Sequence, residues 1–234
     1  MDPSSLIVDD ASHPGVRVLT LNRLGKANAL DENLYQLINQ AFSEIKTSSH
    51  IRSVVIQSAS RKIFCAGADV NAFADCPPIE AQKKRRQQLV VTLGLILECE
   101  KPVVAALEGK VIGAGAMLAL CADVIVATDS VTWSFPEIHL GMPSPIGIAI
   151  LKKRATYHHI HRLIQRGEIL QASELMDAHL IDHLSDSDHL RPESIQCAER
   201  ALNAKAFSIN KRWFNRSTLA EIKDAQNHLD QLAT

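Results

Sequence analysis

GKVIGAGAMLALCADVIVA, residues 109–127, sets the fold class. Gly113–Cys121 is small, apolar and free of charge, which suits a short buried helix. Val124–Ala127 (VIVA) reads as a buried strand just after it. Upstream, Val103–Leu107 reads as another strand, opening directly behind Lys101-Pro102. Before it, Ile79–Glu100 has helical periodicity and starts with a charged run. Helix, strand, helix and strand at this spacing point to an α/β layer structure.

The alternation extends toward the N-terminus. Gly15–Asn22 (GVRVLTLN) reads as a strand after a Pro-Gly turn, and Ser53–Gln57 (SVVIQ) as a second one, followed by a polar loop at Ser58–Lys62. Between them Asp31 is placed to cap a helix whose apolar face is Leu34, Leu37, Ile38, Ala41, Phe42 and Ile45. From Pro145 onward the pattern is mainly helical, with one expected strand at Leu180–His183. Ser185–Pro192 (SDSDHLRP) is polar enough to form a hinge. The expected organisation is an α/β core over residues 1–184 and a C-terminal helical region over 185–234, with no internal sequence repeat.

Bulk properties exclude several functions. The chain has 234 residues, with 25 basic against 26 acidic side chains, and lacks the cationic excess of a nucleic-acid binder. Aromatic residues are only 4%, too few for base-stacking platforms. No apolar run approaches the length of a membrane span. Five cysteines without a CxxC pair read as reduced thiols. The acidic N-terminal stretch has no signal-peptide pattern. A soluble cytoplasmic protein is expected.

Chemistry concentrates in three segments: LNRLGKANALD (21–31), KIFCAGADV (62–70), and the 109–127 stretch together with SFPEIHLGMP (134–143). In the second, Ala66-Gly67-Ala68 runs into Asp69, a good cap for a helix starting at Val70. In the third, Gly113-Ala114-Gly115-Ala116 leads into an apolar helix. Both turns offer unpaired amides with little side-chain cover. If they met, they could hold a developing oxyanion; close helix packing is the alternative use of such small residues.

In this order and at these separations the three segments resemble the crotonase (enoyl-CoA hydratase/isomerase) family over roughly residues 5–215. The resemblance implies a spiral of ββα units, a homotrimer or hexamer, and an acyl-CoA or acyl-carrier-protein thioester as substrate, with no separate cofactor. It implies that Ala68 and Ala114 supply the two oxyanion amides and that Glu137 is the catalytic carboxylate. Ala66 resembles the position whose carbonyl meets the adenine, and Lys26 lies on the phosphate side. Gly67, Asp69, Gly113, Met117 and Gly141 complete the expected substrate-binding set.

Two departures from the family pattern matter. Hydratases of the family carry a second Glu four residues after the glycine at position 113, where this chain has Met117. A thioether can neither take up a proton nor orient a water. The expectation is therefore a Δ3,Δ2-enoyl-CoA isomerase with a single carboxylate. The alternatives are a weakened hydratase, a decarboxylase of an acyl thioester, and a non-catalytic acyl-CoA-binding relative. The second departure is length: the chain is expected to stop near where the family's pocket-closing last helix would begin.

Other features read as structural. Gly113-x-Gly115 has Leu118 where a dinucleotide-binding motif needs its third Gly. His158 and His161 share a helix face without a carboxylate or Cys at ligand spacing, so no metal is expected. Lys83-Lys84-Arg85-Arg86 reads first as a solvated helix face, with contact to a CoA phosphate as the lesser alternative, and Cys65 reads as a small packed thiol. No Gly-x-Ser-x-Gly elbow is present.

Overall fold

The computed structural model describes residues 2–200 and 204–232. Its strands, in chain order, are β1 (Leu6–Asp9), β2 (Val16–Leu21), β3 (Ser53–Ser58), β4 (Ile63–Cys65), β5 (Val103–Leu107), β6 (Lys110–Ile112), β7 (Val124–Thr128), β8 (Thr132–Ser134), β9 (Leu170–Gln171) and β10 (His183–Ser185). The helices are α1 (Glu32–Thr47), α2 (Pro78–Glu98), α3 (Ala114–Leu120), α4 (Pro145–Leu151), α5 (Tyr157–Ile160), α6 (Ala172–Asp177), α7 (Leu190–Glu199) and α8 (Ala204–Leu232).

The strands form two sheets, ordered β1-β2-β3-β5-β7-β10 and β4-β6-β8-β9. All pairs are parallel except β1 with β2 and β8 with β9. Three consecutive units, β3-β4-α2, β5-β6-α3 and β7-β8-α4, each place one strand in the large sheet, one in the small sheet, and then a helix. The fold is thus the crotonase-type spiral of ββα turns. It is a structural repeat that the sequence does not show as one, because the units share neither length nor residue pattern.

Both faces of the large sheet are covered, as parallel sheets require. One face packs its Leu19, Val54, Ile56, Ala105 and Leu107 side with α1, α2 and α3. The other, with Val16, Val18, Val55, Val104 and Val126, is covered by α7 through Leu190, Ile195 and Ala198. Helix α1 follows the expected face, and the Asp31 carboxylate accepts from the Leu34 N–H at 2.9 Å.

Three expectations are corrected. No helix starts at Val70: residues 70–75 form turns, and α2 starts only at Pro78, behind Pro77. Phe73 sits at φ 63°, which a helix cannot accommodate, and a residue before proline is steered out of the helical region. The strand expected at Leu180–His183 lies instead at His183–Ser185. Asp182 extends that ladder, its N–H donating to the Ile125 carbonyl and its carboxylate accepting from the Ile125 N–H. Finally, the last helix is not missing. The 29-residue α8 runs back along α2 and α4. Lys211 anchors it, its ammonium buried against the Asp123 carboxylate (2.6 Å) and the Lys101 carbonyl (3.1 Å). The Asn215 amide adds a bond to the Leu97 carbonyl.

Candidate active site

The three strands β4, β6 and β8 lie side by side and parallel, with Cys65 opposite Val111, Val111 opposite Trp133, and Ile112 opposite Ser134. Their carboxyl ends therefore release three neighbouring loops: 66–69, 113–114 and 135–137. This register brings together segments drawn from across residues 66–137, and ligands commonly sit at such strand ends.

Glycine makes the approach possible. Gly67 has φ +92°, and a Cβ there would stand 3.0 Å from the Ile112 carbonyl and 3.5 Å from the Ala114 nitrogen, so the first loop lies directly on the second. Ala68 forms a single parallel bridge with Leu30, in which Gly67 accepts from the Leu30 N–H and Asp69 donates to the Leu30 carbonyl. That pattern uses the groups on either side of Ala68 and turns its own N–H the opposite way. Ala114 is the first residue of α3, whose N–H has no intrahelical acceptor. Among the described residues, neither amide donates to a protein acceptor.

Glu137 enters on the third loop, in the short 3-10 helix Pro136–Leu140. Its Oε1 would be only 2.7 Å from a Cβ on Gly113, so the carboxylate rests against that glycine. Its Oε2 is buried without a partner. Burial pushes its pKa above the ordinary carboxylate range, with only its own backbone N–H opposing the shift. Such a group is more basic than a surface glutamate and ready to take a proton.

The three loops open onto a cavity of about 680 Å³. Of the residues singled out in the sequence, Ala66, Gly67, Ala68, Gly113, Ala114, Met117, Glu137 and Gly141 line it. Lys26 and Asp69 do not. Lys26 is exposed beside Ala27, whose carbonyl accepts the Ala66 N–H, so it stands near the rim only. Asp69 points away: it pairs with Arg23 at 2.8 Å and accepts from the Asn71 N–H, and Arg23 also reaches Asp31. It locks the first loop onto the start of α1.

Cys65 sits under the same loop, fully buried, with its thiol on the Asn28 carbonyl at 3.0 Å and Gly115 packed against it. Burial drives its pKa up to about 12, which makes it a packing group.

Among the described residues that line the cavity, Glu137 is the one carboxylate. Met117, buried, lines the same cavity. Several lining residues were not among the expected site residues. Arg85 and Arg86 are cavity wall and not a solvated face, because α2 turns Ile79, Gln82, Arg86 and Leu89 along one stripe. Leu229 and Leu232 come from α8, and Ser144, with a buried unpartnered Oγ, comes from the start of α4.

A parallel-strand spiral thus brings two free amides and one buried acid to a single cavity. The chain belongs to the enoyl-CoA hydratase/isomerase family, within the crotonase superfamily, whose pattern matches residues 11–232. It is 32% identical over 187 residues to the 2,3-dehydroadipyl-CoA hydratase of Escherichia coli, covering 79% of this chain and 71% of that protein. It is 27% identical over 221 residues to the short-chain-enoyl-CoA hydratase of Clostridium acetobutylicum, covering 90% and 81%. Among solved structures it matches the apo enoyl-CoA isomerase of Mtb with a TM-score of 0.88 at 20% identity, covering 97% of this chain and 98% of that one. The enoyl-CoA hydratase of Bacillus anthracis gives 0.84 at 24% identity, covering 95% and 90%. At those identities the two structures speak for the fold. Family membership makes the protein an enzyme acting on acyl-CoA thioesters. No helix among the described residues is long and apolar enough to cross a membrane.

Proposed function

We propose that the protein is a Δ3,Δ2-enoyl-CoA isomerase. The thioester oxygen accepts from the Ala68 and Ala114 N–H groups. Glu137 removes a C2 proton, the electrons spread over the dienolate from the carbonyl oxygen to C4, and the same carboxyl group returns the proton to C4. Each amide aimed at the developing oxyanion is worth roughly 3 kcal/mol of barrier. The observation that carries this reading is the single carboxylate in the cavity, with its pKa raised by burial. One acid suffices to shuttle a proton between two carbons of the same substrate. Adding water to a double bond gains from two acids that hold the water between them.

Glu137→Gln tests the proposal with a 3-enoyl-CoA substrate, by following formation of the conjugated 2-enoyl thioester. Turnover is expected to fall at least about 100-fold. Near-normal turnover would remove Glu137 from the mechanism.

Hydration is the second reading, favoured by the names of the two relatives above. It predicts rapid water addition to crotonyl-CoA, whereas the isomerase reading predicts slow addition, and the two are separated by one spectrophotometric assay. Ile209, Trp213 and Phe214, all more than half exposed along α8, support the self-association expected from the family resemblance.

A further inference from the structure

The α2 wall of the cavity places a charged group where a plain hydrocarbon chain would find no partner for it. Arg86 lies between Ile79 and Leu89 on the stripe that faces the cavity, and Leu229 of α8 faces the same space. Its side chain is only 9% exposed. Asp230 accepts from Nη2, while Nε is buried with no acceptor. A buried donor left without an acceptor is costly, and a guanidinium offers its donors in a planar fork suited to a carboxylate. Arg85, on the same wall, donates from Nη1 to the carbonyls of Val70 (3.2 Å) and Ala72 (2.8 Å), neutral acceptors that leave its charge in place. Asp230 offsets one of the two cations, so this wall retains a net positive charge. Glu137 enters the cavity from a different element, against Gly113. Gln82 adds a neutral polar group one turn from Arg86.

We propose that Arg86, backed by Gln82 and Arg85, reads the far end of the acyl chain, and that the preferred substrates are enoyl thioesters ending in a carboxylate. This rests on the enoyl-thioester reading above and deepens it by naming the acyl class. A methyl-terminated chain leaves the Arg86 donor unpaired; an ω-carboxylate satisfies it and balances the charge of the wall. A site built to hydrogen-bond a group discriminates strongly against an analogue lacking it.

The test is calorimetric binding of saturated thioesters, which cannot isomerise, so its outcome is independent of what Glu137 does. Methyl-terminated and ω-carboxyl acyl-CoAs are compared at matched lengths of about six to ten acyl carbons, and the ω-carboxyl partner is expected to bind about 10-fold tighter or more at the best length. In Arg86→Met the ratio is expected to fall close to one, and Arg86→Lys, which keeps the charge without the fork, is expected to fall between. A wild-type ratio at or below one at every length overturns the proposal and needs no variant. So does an undiminished ratio in an Arg86→Met protein whose thermal melt shows it folded. A wild-type protein that does not isomerise 3-enoyl-CoA yet keeps the ratio would sink the isomerase reading and leave this one standing.

Discussion

Replacing Gly113 by Ala changes one methyl group at the point where backbone geometry and the acid meet. Gly113 has φ +50° and ψ −118°, a conformation outside the regions open to L-residues. Holding alanine there costs roughly 1–3 kcal/mol. For a chain of this size each kcal/mol lowers the melting temperature by about 2–4 °C, so a drop of about 2–12 °C is expected. The new Cβ would stand 2.7 Å from Glu137 Oε1, where ordinary contact begins at 3.4 Å. The carboxylate must therefore retreat by about 0.7 Å, and a displacement near 1 Å of a reacting group costs about 100-fold in rate. Turnover of a 3-enoyl-CoA should fall by about 10- to 100-fold, together with C2-proton exchange in deuterated water. Gly115→Ala is the contrast: its Cβ would strike Cys65, at 2.6 Å from Cβ and 2.8 Å from the carbonyl, and it should destabilise through packing alone. Wild-type turnover in Gly113→Ala, with the melt lowered as expected, would refute the placement of Glu137 against this glycine as a catalytic requirement.

Other outcomes follow from the same geometry. Because burial raises the Glu137 pKa, turnover should fall with decreasing pH along a limb that lies above the ordinary glutamate range, as the base becomes protonated. The stability effect has the opposite sense: the folded protein holds this proton more tightly than the unfolded chain, so the stabilisation is present at low pH and lost as pH rises through the folded pKa. Glu137→Gln should accordingly melt at or above the wild-type temperature at pH 8, in contrast to its loss of activity. Met117→Glu restores a second carboxylate to the cavity and should raise crotonyl-CoA hydration by at least about 10-fold, read as loss of the conjugated absorbance. Asp123→Ala strips the buried Lys211 ammonium of its carboxylate and the Val103 N–H of an acceptor. A loss of about 3 kcal/mol, seen as a lower urea midpoint, is expected.

The long, strongly patterned elements were legible in the sequence. The α1 face from Leu34 to Ile45, the β-branched runs of β2 and β3, and the small apolar α3 each fill a whole period with one kind of residue. The second sheet was not. β4, β6 and β8 have three residues each, too short to show an alternation, and their identity lies in pairing with one another. That Ala68, Ala114 and Glu137 would line one cavity was legible through motif order, because the glycines that let the loops touch leave a sequence trace. Arg86 was not, since a basic run on a helix looks solvated until α8 brings Asp230 and Leu229 against it. Asp69 was misplaced for a related reason: its cap-like position could not reveal that Arg23, 46 residues away, would take its carboxylate. The C-terminal region was legible as helical, but not the packing of α8 against the cavity, because its anchors are two polar side chains, Lys211 and Asn215, with partners distant in the chain.

The sealed thiol of Cys65 makes the protein its own stopwatch. A maleimide or iodoacetamide cannot reach sulfur packed between Asn28 and Gly115, whereas Cys76, Cys99 and Cys197 are partly accessible. Modification of Cys65 in the native protein therefore has to wait until the strand ends part, and its rate counts those openings. A bound thioester pressing on the same loops should lengthen that wait in proportion to its occupancy, which turns an inert packing residue into a gauge of how firmly the site is shut.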